Sequence, residues 1–159
     1  MNVWLMKTIK KWPTRFLSSS YIAIDEPGVD EDYGTLTDLQ RQHLFDQLKA
    51  NNSKRRYGHI KRFFDQFYDE TGDGDVLVLG FGQTTKFYVI AIVRLKGKPY
   101  FHSSTGSEDL RHRVDFDLIW HGEPFEVQEW GGANRLEKMD TPDRLKQFIS
   151  IYTDMQVYM

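Results

Sequence analysis

Phe87-Tyr88-Val89-Ile90-Ala91-Ile92-Val93-Arg94-Leu95 is the stretch that decides the fold. Its centre, Val89 to Val93, is apolar without alternation, so both faces must be covered. A strand covered on both faces sits inside a sheet that has helices or a second layer on either side. Upstream, Val76 to Phe81 is a second strand, and Gly82-Gln83-Thr84-Thr85 closes the pair into a hairpin. Gly72-Asp73-Gly74 turns the chain into it, and Lys96-Gly97-Lys98-Pro99 is a turn on the far side. Tyr100-Phe101-His102 follows as a short strand, then a polar loop over Ser103 to Glu108. Arg113 to Trp120 sets Val114, Phe116, Leu118 and Trp120 against Arg113, Asp115 and Asp117, the alternation of a half-buried strand. Phe125-Glu126-Val127 is a weaker one.

Toward the N-terminus, Val3-Trp4-Leu5-Met6 and Tyr21-Ile22-Ala23-Ile24 are short strands. Trp12-Pro13 ends any helical continuation between them, because a residue before proline disfavours the helical region. Thr37 and Asp38 cap a helix over about 38–50, and Asn51-Asn52-Ser53 breaks it. Ile60, Phe63, Phe64, Phe67 and Tyr68 form the core stripe of a second helix over about 57–70. Thr141 and Pro142 open a last helix over about 141–153, docked by Leu145, Phe148, Ile149 and Tyr152. The expected fold is α+β: a strongly curved, barrel-like mixed sheet flanked by helices, spanning 1–159 as one domain, whole or excised from a longer protein.

Composition narrows the chemistry. Zero cysteine removes a disulfide framework, a cysteine-ligated metal site and a cysteine nucleophile, and it fits a cytoplasmic location. No window has the length of a membrane helix. The 21 Lys+Arg and 23 Asp+Glu nearly cancel, yet they are segregated along the chain. Residues 1–24 hold Lys7, Lys10, Lys11 and Arg15 and no acid; residues 25–46 are dense in acids. Residues 49–62 are again basic: Lys49, Lys54, Arg55, Arg56, Lys61 and Arg62, with His59 among them. Such blocks allow a basic face on a balanced protein, or simply solvated helix and loop surfaces.

Asp69 to Asp75 imitates the start of a calcium loop, but Gly80 stands where the bidentate glutamate is needed and a strand follows, so the segment reads as a turn. Gly80 to Lys86 lacks the glycine-lysine-hydroxyl ending of a phosphate loop. The histidines show no paired metal-ligand spacing, and Ser18, Ser19 and Ser20 lack a glycine elbow. No catalytic residue, metal or cofactor is expected. What stands out is aromatic residues beside basic ones: Trp12 lies between Lys10-Lys11 and Arg15, Trp120 ends a strand, and Trp130 precedes two glycines. Each either plugs a loop or stacks on a flat ligand.

The order of these features resembles a known family. Trp4-Leu5-Met6-Lys7 looks like the opening strand of EVE domains, which are similar to YTH domains and belong to the PUA-like superfamily. Tyr21 to Ile24 resembles the second strand of the EVE-like modules of McrBC-class, modification-dependent restriction proteins. Gly74-Asp75-Val76, Tyr88 to Val93, Tyr100, and His112-Arg113-Val114 with Trp120 resemble the strands that follow. The resemblance implies a reader of modified double-stranded DNA, not an enzyme, that flips a base into an aromatic pocket and targets a separate effector nuclease or nucleoside-triphosphatase. The pocket candidates are then Trp12, Phe81, Trp120 and Trp130 for stacking and Asp25 for the base edge. Lys10, Lys11, Arg15, Lys54, Arg55, Arg56, Arg111 and Arg113 are the candidates for phosphate. Where related modules have a small residue and an aromatic, this chain has Asp25-Glu26-Pro27, so either another element supplies the aromatic or Asp25 takes its place. An RNA-binding PUA-like module is the alternative; a hydrolase and a protein-interaction domain stand behind it.

Overall fold

The computed structural model describes residues 1–8, 12–82, 85–103, 110–130 and 134–157. Strand β1 (Val3–Lys7) is followed by α1 (Trp12–Ser19) and β2 (Tyr21–Ile24). A 3-10 turn at Tyr33–Thr35 leads into α2 (Asp38–Asn51) and α3 (Tyr57–Asp65), which widens into a π-helical turn over Gln66–Glu70. Then come β3 (Val76–Phe81), β4 (Lys86–Phe101), β5 (His112–Gln128), β6 (Leu136–Lys138) and α4 (Pro142–Val157).

The six strands form one mixed sheet in the order β2-β5-β4-β3-β1-β6, with β1 parallel to β3 and the other pairs antiparallel. The sheet curls into a half-barrel. Ile22, Ala23 and Ile24 of β2 and Leu136 of β6 belong to opposite edges, yet they share one hydrophobic cluster. Strand alternation divides the core in two. Trp4, Met6, Leu77 and Leu79 face inward with Phe16 of α1, Phe45 of α2 and Phe63, Phe64 and Phe67 of the α3 segment. Val3, Leu5, Val76 and Val78 face outward, beneath Trp130, Met139 and Phe148. Val89 to Val93 of β4 are buried throughout, as expected of a strand with both faces covered.

Local chemistry explains the element ends. Thr37 caps α2: its hydroxyl accepts the Gln40 N–H while the Gln40 side chain accepts the Thr37 N–H, a reciprocal capping box. Beneath α2, buried Arg41 reaches Asp65 and Asp69, and its guanidinium lies 4.3 Å from the Tyr33 ring centroid. Asp75 accepts the Trp4 indole N–H at 3.0 Å and the N–H groups of Asn2 and Gly72, tying the start of β3 to β1. The acids that imitate a calcium loop thus have structural partners: Asp69 holds Arg41, Asp73 accepts the Gly97 N–H, and Asp75 holds Trp4.

Three expectations are corrected. Pro13 opens α1 instead of ending a helix, because the first turn has no need of its missing N–H. Lys96 to Pro99 lie inside β4, where a register shift between Lys96 and Tyr100 absorbs them as a bulge. Phe125 to Val127 belong to the same long strand as Arg113 to Trp120, joined through an irregular Gly122-Glu123-Pro124 segment. The three-residue β6 had no pattern long enough to announce it.

Candidate functional site

The curl brings the end of edge strand β2 and the end of interior strand β1, from opposite sides of the sheet, around one hollow. A cavity of about 380 Å3 is lined by Met6, Lys7 and Thr8 at the end of β1 and by Ala23, Ile24 and Asp25 at the end of β2. Phe16, Phe63, Leu110 and Arg135 complete its wall. Met6, Phe16, Ala23, Ile24, Phe63 and Leu110 make its lining mostly apolar, with Lys7, Thr8, Asp25 and Arg135 as its polar members. Its volume falls in the range of roughly 300–1,000 Å3 that small-molecule sites occupy. By strand alternation Lys7 follows Leu5 to the α4 side, where Glu137 raises the basicity of its amine while the larger effect, burial, lowers it.

A second cavity of about 310 Å3 adjoins the first, sharing Phe63 and Arg135. Arg55, Arg56, His59 and Arg62, from the start and one face of α3, line it with Arg135, Gln66 and Asn134. Arg55 is committed inward: it makes two 2.7 Å bonds to the carboxylate of Glu26, whose side chain is 3% exposed. Arg56, Arg62 and Arg135 are exposed, and among the described residues none has a carboxylate within ion-pair distance. Three uncompensated guanidinium groups around one hollow create a positive potential that an anion would relieve.

The residues singled out from sequence divide sharply. Asp25 lines the apolar cavity, but four donors already occupy its carboxylate. Oδ1 takes the Glu26 N–H (2.8 Å) and Arg111 Nη2 (2.9 Å), and Oδ2 takes Arg111 Nε (2.9 Å) and its N–H (3.3 Å). A carboxylate has about four lone-pair positions, so Asp25 fixes the rim and is not free to read a base edge. Arg111 also bonds Asp30 at 2.7 Å, and these carboxylates raise its pKa. Arg113 is buried, donating to the Leu110 carbonyl and lying 4.2 Å from the Tyr21 ring centroid. Neither arginine is a phosphate ligand in this arrangement.

Trp130 is 1% exposed on the α4 side of the sheet, its indole N–H bonded to Gln147 Oε1 at 2.7 Å. Trp120 is half-buried on that same side, edge-on to Phe125 and lying across Gly122. The expectation that both join Asp25 in one pocket is therefore corrected: the sheet separates them from it. Phe81 packs on the inner core and stacks on Tyr88 at 5.2 Å, without lining either cavity. Lys10, Lys11 and the Trp12 side chain lie outside the described residues. Arg15 is half-exposed on α1, and Lys54 is exposed beside the cationic cavity without lining it. Of the proposed phosphate ligands, Arg55 and Arg56 line the cleft.

Phe63, Arg62, His59 and Arg135 are among the lining residues absent from the predicted site. The basic block at 49–62 announced His59 and Arg62; Arg135 is a single cation far away in sequence, and only the pairing of β6 with β1 brings it here. His112 lies between the Tyr68 hydroxyl, 2.6 Å from Nδ1, and the Val29 carbonyl, 2.9 Å from Nε2. Burial lowers its pKa, and the rings of Phe64, Tyr68 and Phe101 pack against it, so it is a core histidine. Among the described residues no cluster of acids and histidines could hold a metal ion, and no helix is long and apolar enough to cross a membrane.

No family model matches the chain, and no curated protein matches it. Among solved structures it is similar to a hypothetical protein from Leishmania major, at 11% identity over 98% of this chain and 97% of that one, with a TM-score of 0.44.

Proposed function

We propose that this protein is a nucleic-acid-binding reader of the PUA-like, EVE type, which takes a modified base into the apolar cavity and holds phosphate in the adjoining arginine cleft. One observation supports it above the rest: the two cavities share Phe63 and Arg135, so an apolar hollow opens beside three unpaired guanidinium groups. A flat, apolar-faced group carried on an anionic chain matches that pairing of chemistries. Taking a base out of a duplex costs a few kcal/mol, which contacts in the cavity and at the phosphates offset. A buried methyl adds about 0.8 kcal/mol, so the cavity must also reject the unmodified base by its shape. In this reading the chain binds and targets; any strand cleavage belongs to an effector on another domain or subunit, as in McrBC-class restriction.

Fluorescence anisotropy on four labelled probes tests the reading: a duplex carrying N6-methyladenine, one carrying 5-methylcytosine, the unmodified duplex and a single-stranded RNA. One modified duplex binds at least tenfold tighter than the unmodified one, with affinity falling steeply as salt rises. Preference for the RNA would move the protein to RNA recognition. Equal, weak and salt-insensitive binding to all four, unchanged in Arg62→Gln and Arg135→Gln, would end the reader hypothesis.

A further inference from the structure

The relation of the two cavities carries the proposal above one step further, to the size of the ligand unit. Phe63 of α3 forms a wall common to both, and Arg135 stands at their junction. Among the described residues, the three unpaired arginines of this cleft line one hollow. Arg56, Arg62 and Arg135 surround a single hollow of about 310 Å3, directly beside the apolar one of about 380 Å3. Arg55, the remaining arginine there, is held back by buried Glu26 and forms part of the wall. His59 and Gln66 add hydrogen-bonding groups on the same α3 segment.

We infer that the recognised unit is one nucleotide: a base in the apolar cavity and its own phosphate on Arg56, Arg62 and Arg135. This inference rests on the reader hypothesis and narrows it. A guanidinium group offers forked donors that match phosphate oxygens, and three of them suit a phosphate carrying more than one charge. A free nucleoside monophosphate then binds with no flanking polymer. Both ends of the site are present in the chain itself, and no base has to be unstacked before entry.

Isothermal titration on the full chain tests this with N6-methyl-2′-deoxyadenosine and 5-methyl-2′-deoxycytidine. Each is offered as the free nucleoside, the 3′-monophosphate and the 5′-monophosphate, with inorganic phosphate as a fourth probe. One monophosphate binds at least tenfold tighter than its nucleoside, and inorganic phosphate competes with it. Arg56→Gln with Arg62→Gln, both exposed and lining the arginine cleft without lining the apolar cavity, removes the difference while leaving nucleoside affinity in place. Equal affinity for nucleoside and monophosphate, with the modified duplex still preferred in anisotropy, overturns the one-nucleotide unit and leaves the reader standing. Silence from every probe, duplexes included, overturns both. Binding of inorganic phosphate alone, with no contribution from any base, also overturns the inference.

Discussion

Removing the Arg55 guanidinium should reveal it as a structural group and not a ligand of phosphate. Glu26 is nearly sealed, at 3% side-chain exposure, while Arg55 is 44% exposed, and two 2.7 Å bonds join them. Arg55→Met leaves the Glu26 carboxylate in place with both bonds gone. Breaking a buried pair from one side costs about 3–5 kcal/mol. Because the Arg55 end meets solvent, water can reach the gap, and the lower end of that range, about 3 kcal/mol, is the expected loss. For a chain of 159 residues this lowers Tm by roughly 6–12 °C. The double substitution Glu26→Met with Arg55→Met removes the stranded charge and recovers most of the loss. Differential scanning calorimetry on the wild type, both single variants and the double variant gives the coupling directly. The salt slope of nucleic-acid binding stays unchanged in Arg55→Met but falls by about one in Arg56→Gln. A Tm within 2 °C of wild type for Arg55→Met, or a double variant no more stable than that single one, would refute the account.

Trp130→Ala should cost about 3–5 kcal/mol in urea denaturation, and binding by the remaining folded protein should not change; lost affinity at full folding would put Trp130 in the site after all. The lowered pKa of His112 means that, as pH falls below its ordinary 6.5, the unfolded chain takes up a proton the fold resists. Stability therefore drops between pH 7 and 5 more steeply in the wild type than in His112→Gln, and parallel urea-midpoint profiles would refute a neutral buried histidine. Gly58→Ala, on α3 with nothing within 4 Å of the added carbon, should stabilise by up to about 1 kcal/mol. Gly80→Ala places that carbon 2.3 Å from the Tyr88 carbonyl oxygen and should destabilise by about 1–3 kcal/mol, so equal stability of the two variants would contradict the packing described.

Where burial pattern alone decides structure, the sequence was readable. Val89 to Val93 announced a strand covered on both faces, and the Phe63, Phe64, Phe67 and Tyr68 stripe announced the helix beneath the curl. Short-range patterns misled where long-range pairing outweighed them. Lys96-Gly97-Lys98-Pro99 has every mark of a turn, yet β5 pairs on both sides of it and carries the strand through. The site was legible only in fragments. Asp25 and the basic block at 49–62 pointed to the right neighbourhood, but nothing along the chain says that Arg111 occupies the Asp25 carboxylate. The tryptophans drew attention by type, and type does not distinguish an indole that plugs a core from one that stacks on a ligand. Which side of the sheet each occupies follows from register, and the irregular Gly122-Glu123-Pro124 segment interrupts the register of β5.

The position of β1 inside the sheet has a consequence in time. Its two edges are completed by β3, at Val76–Phe81, and by β6, at Leu136–Lys138. At about 5–20 residues per second, a ribosome needs roughly 4–14 s after Lys7 to reach β3 and roughly 6–26 s to reach β6. Throughout that interval Val3, Trp4, Leu5 and Met6 are an apolar strand without neighbours, open to chaperones or to the wrong partner. Deleting them would not trim the sheet at its margin. It would split β3 from β6 and leave two raw edges where the finished protein has none.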